Sequence, residues 1–448
     1  MPISNKTKNI HYPYAHILKS MKTNKPFYLV LFATVLAVFV SQNLLGQNEL
    51  KNPLRVRNTD KLNFANVAAQ IPVIDTAFPG GNVVIEKILG DTVFFKPDLR
   101  DTKSEWFYWC FSVKNNTNKK WFFKATKPNY LTNLGAAYST DGGFKWNWID
   151  KEDHLGPDLF SFNFSGNNEP ILFSMGMAYT QKNFDRFMLK YSDSKYLRKS
   201  VLTTTRAGRD VEKLLISNFD HQPKVRVLFT ARAHAGEMMS NYLIEGMIDA
   251  MLSKNTTMAK LLENVEVMIV PFLDKDGVEQ GDQGKNRSPR DHNRDYSGVS
   301  IYQSTKTIRE EIPNWIDGLP WIGIDLHNPW IKGEHNEWVY FVGNENMRVS
   351  EAQEKFVNIL VTSQKGPLEI NNKTGFLAYG TAWNKGSNYE QGASFSKWAS
   401  GFLDTGLMMT TTLEFPFALN NDQIVTQENA RLFGQDLIFA LDEFIERP

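Results

Sequence analysis

Three apolar runs in the C-terminal half of the chain end at, or just before, residues able to hold a cation or a proton, and stretches of helical periodicity lie between them. Val225-Arg226-Val227-Leu228-Phe229-Thr230 reads as a strand and is followed closely by His234-Ala235-Gly236-Glu237. Ile324-Asp325-Leu326-His327 and Thr411-Thr412-Leu413-Glu414 close two further strands, and Val265 to Phe272 forms another. Met239, Leu243, Met247 and Met251 recur at helical spacing and predict an amphipathic helix from Met238 to Leu252. Strands alternating with helices build a parallel or mixed α/β sheet, and such sheets bind ligands in the crevice beyond the carboxyl ends of their strands. The pattern therefore predicts one shared site.

Before about residue 175 the pattern is different. Short β-branched and aromatic runs (Val83-Val84-Ile85, Trp106 to Phe111, Trp121-Phe122-Phe123) are separated by turn clusters such as Asn115-Asn116-Thr117-Asn118 and Asp141-Gly142-Gly143. That spacing predicts an all-β sandwich over 47–174, ahead of an α/β domain over 175–448. The tryptophans of the first part fit strand cores and cross-strand pairs better than an exposed carbohydrate-stacking face.

Residues 27–40 form an apolar run of 14 preceded by Lys22 and Lys25, which has the form of a secretory signal peptide and is too short for a comfortable membrane span of ~20 residues. Met21 stands where a start would be expected. Residues 1–46 carry five lysines and no acidic residue, so their removal takes the formal net charge from +1 to −4. The expectation is a secreted or periplasmic protein with no stable membrane anchor after cleavage. No long basic block is present, so the electrostatic footprint of a nucleic-acid binder is missing. Cys110 is the only cysteine, which excludes an intrachain disulfide.

His234 and Glu237 are three residues apart at the start of a helix, close enough to reach one ion. Alone, the pair is common and a capping or surface role would suffice. His327, at the end of a buried strand, supplies a third ligand, and two imidazoles with one carboxylate leave a zinc ion a net positive charge and an open position for water. Glu414 ends its strand flanked by Leu413 and Phe415, surroundings that raise a carboxyl pKa toward the range of a general base.

Taken in order, His234-x-x-Glu237, then Asp291-His292-Asn293-Arg294-Asp295-Tyr296, then Asp325-Leu326-His327 and Thr412-Leu413-Glu414-Phe415 resemble the zinc metallocarboxypeptidases of the carboxypeptidase A type over roughly 175–445. Glycine at position 236 and the preceding β module place the resemblance nearest the cytosolic-carboxypeptidase branch in its bacterial form. The resemblance implies one zinc per chain held by His234, Glu237 and His327, with Glu414 activating water. It implies that Asn293 and Arg294 grip the substrate's terminal carboxylate, a task suited to a planar guanidinium fork. Arg287 is the expected oxyanion arginine, with Arg290 as its rival. Tyr389, with Tyr379 as competitor, is the expected mobile tyrosine, and Lys397 lines the expected specificity pocket, where its charge would favour an acidic C-terminal side chain. The implied partner is a peptide or protein C-terminus. Trimming of cell-wall peptides, aspartoacylase-type amide hydrolysis, and a non-catalytic binding role on the same fold stay open at this point.

Overall fold

The computed structural model describes residues 71–447, so the apolar run at 27–40 and its expected cleavage site lie outside the described residues. No helix among the described residues is long and apolar enough to cross a membrane.

Ten short strands come first: β1 (Val73–Asp75), β2 (Val84–Leu89), β3 (Thr92–Lys96), β4 (Cys110–Lys114), β5 (Asn118–Ala125), β6 (Ala137–Ser139), β7 (Asn147–Trp148), β8 (His154–Gly156), β9 (Leu159–Ser165) and β10 (Ile171–Ser174). They form two five-stranded sheets, ordered β1-β4-β10-β6-β7 and β2-β3-β5-β9-β8. Alternation decides what each strand buries: along β5, Trp121, Phe123 and Ala125 point inward while Lys120, Phe122 and Lys124 are more exposed. Phe123 and Phe160 from one sheet meet Phe111 and Phe173 from the other at centroid separations of 5.1–5.9 Å. Trp109 packs against these rings, and Trp121 and Trp146 are buried in the same core, so most of the tryptophans here serve the core.

The second part is an eight-stranded mixed sheet made of β11 (Leu197–Thr204), β12 (Asp210–Ile216), β13 (Val225–Ala231), β14 (Val265–Val270), β15 (Trp321–His327), β16 (Tyr340–Val342), β17 (Phe376–Leu377) and β18 (Leu407–Glu414). Its order is β11-β12-β14-β13-β15-β18-β16-β17. The central strands β14, β13, β15 and β18 are parallel neighbours, and both their faces are covered. Val227 and Phe229 of β13 join the core shared with helix Met239–Met251, whereas Leu228 between them joins a separate core with Ile308, Ile312 and Trp321. Burial on both faces is why these strands read as nearly continuous apolar runs. The observed helix Met239–Met251 matches the predicted span to within one residue at either end.

One buried cluster runs without a break from the sandwich aromatics into the sheet's helix-covered face. Replacing Phe123 by alanine removes a fully buried ring from the middle of the sandwich and is expected to lower unfolding free energy by about 3–5 kcal/mol. Denaturant unfolding of the two proteins checks it.

Candidate metal centre and active-site cavity

The parallel pairing of three strands sets the position of every principal group. His234 and Glu237 lie in the loop after β13, His327 is the last residue of β15, and Glu414 is the last residue of β18, directly opposite His327 in the ladder. His234, Glu237 and His327 are all buried, and their ligand atoms lie within 4.8 Å of one another. His234 Nδ1 is 2.6 Å from one carboxylate oxygen of Glu237, and His327 Nδ1 is 2.6 Å from the other. The two Nδ1 atoms are 3.1 Å apart.

Both imidazoles are held from behind. His234 Nε2 lies 3.1 Å from Asp291, and His327 Nε2 lies 2.7 Å from Asp325, which in turn accepts a 2.7 Å hydrogen bond from Thr230. A carboxylate on the outer nitrogen fixes the tautomer, so each ring presents Nδ1 as a lone-pair donor to the shared centre. Burial alone would raise the pKa of Glu237, but the two imidazoles hold its carboxyl well below the ordinary range. Burial would lower the pKa of His327; the charges of Asp325 and Glu237 overcome it and raise the ring well above its usual value. Two nitrogens and a carboxylate, aimed at one point and backed by two further carboxylates, suit a zinc ion.

The ligand loop is tied down by residues that carry no sequence motif. Arg232, fully buried and in the left-handed region at φ 59°, donates to the carbonyl oxygens of Ala235 and Tyr179 and to Asn241. Gly236 sits in a tight place: a Cβ there would stand 3.0 Å from Cβ of Tyr108 and 3.3 Å from the carbonyl of Gln283, so a side chain would press on both. Gln283 clamps Tyr108 by accepting from its N–H and donating to its carbonyl, both at 2.8 Å, while its own carbonyl accepts from Gly236 N–H at 3.0 Å. The β module thus touches the metal loop directly.

Glu414 is buried, and one of its oxygens has no hydrogen-bond partner among the described residues. Burial pushes its pKa up to about 7, Glu237 adds to the rise, and the His327 charge opposes it. It opens onto a cavity of about 250 Å³ lined by Glu237, Lys285, Tyr340 and the indoles of Trp106, Trp330 and Trp383. Tyr340, paired with Glu414 across β16 and β18, also buries a hydroxyl that lacks a partner. An orphaned buried hydroxyl on an unremarkable short strand left no signal in the sequence.

Arg294 is buried and bonded only to carbonyl oxygens, those of Asn293, Asn388 and the Asn388 side chain, at 2.7–3.0 Å. Five donors meet three acceptors, so the guanidinium keeps donors for an anion. The Asn293 amide nitrogen lies 3.2 Å from His327 Nε2, and its oxygen accepts from Phe395 N–H, so it borders the metal centre. Tyr389 and Tyr379, the two competing tyrosines, line one adjoining pocket with Ser396, Lys397 and Glu345. Lys397 pairs with Glu345 at 3.2 Å there, so its charge is partly answered.

Arg287, expected as the oxyanion arginine, lies away from the Glu414 cavity. Its guanidinium is bound to Asp274 at 2.5 Å and Asp282 at 2.9 Å, with Asp101 at 3.6 Å, and it does not line the cavity of Glu237 and Glu414. Burial would lower its pKa; the three carboxylates outweigh burial and raise it. Two carboxylates hold this cation by hydrogen bonds with a third close by, so its charge is committed away from the cavity although its Nε has no partner among the described residues. Arg290 is also committed, to Asp295 and the carbonyl of Val299. The cation that faces the cavity is Lys285.

Removing the carboxylate behind either imidazole, by Asp291→Asn or Asp325→Asn, is expected to weaken zinc binding about 10–100-fold, measurable by chelator competition. Because Asp325 and Glu237 raise the His327 ring well above its usual value, zinc competes with a proton there, and affinity should strengthen as pH rises, measured by the same competition at several pH values.

Residues 187–355 match the family Peptidase_M14, described as zinc carboxypeptidase. Cytosolic carboxypeptidase 6 of Caenorhabditis elegans is 25% identical over 341 residues, covering 69% of this chain and 72% of its own. Cytosolic carboxypeptidase 3 of Bos taurus is 30% identical over 263 residues, but this match spans only 26% of that protein and 51% of this one. The fold resembles that of a metallo-carboxypeptidase from Burkholderia cenocepacia, with TM-score 0.68 at 17% identity over 84% of this chain and 99% of that one. A metallo-carboxypeptidase from Pseudomonas aeruginosa, solved with (2-guanidinoethylmercapto)succinic acid, gives 0.66 at 17% identity with the same coverage. Residues 187–355 therefore carry a zinc carboxypeptidase domain, and the chain is similar to cytosolic carboxypeptidases in sequence and to bacterial metallo-carboxypeptidases in fold.

Proposed function

We propose that this protein binds one zinc ion through His234, Glu237 and His327 and hydrolyses the C-terminal amide bond of peptides with Glu414 as general base. The observation that carries the reading is the cavity lined by both Glu237, which is grouped with the paired histidines, and Glu414, a buried carboxylate with an oxygen unpartnered among the described residues. Zinc, when bound, supplies a Lewis acid for the scissile carbonyl. Glu414 takes a proton from the attacking water, and its raised pKa lets it hand that proton to the leaving amine nitrogen.

Arg294 supports an exopeptidase over an endopeptidase. A buried guanidinium that has no carboxylate partner among the described residues, and whose partner Asn388 lines the cavity, can hold the substrate's own carboxylate. The bound ligand of the Pseudomonas aeruginosa neighbour is a succinic acid and so carries carboxylates too. Next to this clamp, the pocket with Tyr389 and Lys397 receives the terminal side chain. Lys397 draws an acidic side chain, and the Glu345 pairing limits the preference. Export through the apolar segment at 27–40 completes the proposal, and cell-free culture fractions assayed for the protein check it.

Glu414→Gln should lower kcat by at least ~10² while zinc content stays at one per chain; unchanged activity on every peptide tested would overturn catalysis here and favour a binding role. Arg294→Gln should raise KM about 10–100-fold, as expected for loss of a charge-assisted contact. In the native enzyme kcat/KM should fall as pH drops through the Glu414 pKa, since only the carboxylate can accept a proton. The cation's field sets that limb below about 7. Mass spectrometry of a peptide library distinguishes single C-terminal losses from internal cuts, and N-acyl amino acids run beside it test the amidohydrolase alternative.

A further inference from the structure

We propose that Lys285 is the catalytic cation that stabilises the oxyanion of the scissile carbonyl, in place of an arginine. The inference rests on the peptidase reading above. With Arg287 and Arg290 committed to carboxylates elsewhere, Lys285 is the lysine or arginine that lines the cavity of Glu237 and Glu414. It is half-buried and forms neither an ion pair nor a hydrogen bond among the described residues; its ammonium lies 5.8 Å from the Trp106 ring centroid. Its charge is felt at both Glu414 and Asp291. A lysine beside two carboxylates that pairs with neither keeps its three donors for a ligand.

The backbone beneath it is built to hold position. Gly284, at φ 80°, presses so closely on the ligand loop that a Cβ would stand 2.1 Å from the Ala235 nitrogen. Asp101 of the β module accepts from the N–H groups of Gln283 and Gly284 at 3.0 and 2.9 Å. Asn286 N–H donates at 3.1 Å to Asp291, the same carboxylate that backs His234. Lys285 therefore springs from a segment pinned on both sides to the metal loop and its supporting carboxylate. The Trp106 ring, within cation–π reach, limits where the ammonium can swing.

In the addition step the water oxygen bonds to the carbonyl carbon, the π pair moves onto the carbonyl oxygen, and Glu414 takes the water proton. Lys285 donates a hydrogen bond to that oxygen and keeps its own proton. When the C–N bond breaks, the pair returns to form the new carboxyl group and the proton on Glu414 goes to the amine nitrogen. A donor aimed at charge that exists only in the transition state should act on kcat.

The test compares wild type, Lys285→Met and Lys285→Arg by peptide kinetics, zinc analysis and calorimetry with a peptide phosphonate that mimics the tetrahedral anion. Lys285→Met should hold one zinc, lose ~10² to 10³ in kcat with KM changed only a few-fold, and lose phosphonate affinity in the same proportion as kcat/KM. Lys285→Arg should recover part of kcat. Wild-type kcat in Lys285→Met, or a loss confined to KM for peptides with an acidic residue upstream of the scissile bond, overturns the assignment. A wild-type enzyme that cleaves no peptide overturns the peptidase reading instead, and the phosphonate comparison still reports on Lys285 because it needs no turnover.

Discussion

The site depends first on the parallel registration of β15 with β13 on one side and β18 on the other. Because His327 faces Glu414 across one ladder, and the His234 loop leaves the neighbouring strand at the same edge, candidate ligands separated by 90 residues and the proposed base farther along meet without any long side chain having to search for its place. Backbone hydrogen bonds fix this geometry, and a one-residue slip of β15 would turn His327 to the opposite face of the sheet from Glu414. The chemistry is thus anchored in the stiffest part of the molecule.

Around that anchor, charge is arranged in two settings with opposite results. At the metal centre, carboxylates and imidazoles face one another across short distances, so Glu237 stays ionised in a place where burial would otherwise protonate it. Glu414 occupies the same buried region but lacks a close donor, and burial prevails. Two glutamates of like chemistry are separated in function by who stands beside them. Arg287 shows the reverse case, a cation whose charge is answered by Asp274 and Asp282, with Asp101 close by, and held away from the cavity.

Strand ends were legible in the sequence because apolar runs ending in His or Glu are local patterns, and the order of four such motifs carried the fold and the donor set. The sandwich was legible for the same reason: alternation along β5 and β9 repeats every two residues. What escaped was long-range side-chain pairing. Nothing in the residues near 287 announces that three acids, one of them 186 positions upstream, will enclose its guanidinium, so the nearest arginine looked available. Lys285 escaped because its significance lies in having no partner, and Gln283 because its hydrogen bonds reach back 175 residues to Tyr108.

The contact at Gly236 changes what kind of object the β module is. Tyr108 crowds the space a side chain would need, Gln283 ties that tyrosine's backbone to the metal loop, and Trp106, two residues earlier, walls the cavity. The two halves cannot be inherited as independent cassettes. Recombination that joined this sheet to a sandwich from a distant relative would import a different surface against the ligand loop, and the mismatch would be felt at the metal before it was felt in the stability of either half. Divergence in the strands around Trp106 and Tyr108 is therefore tethered to divergence in the loop of His234, although more than a hundred residues separate them in the chain.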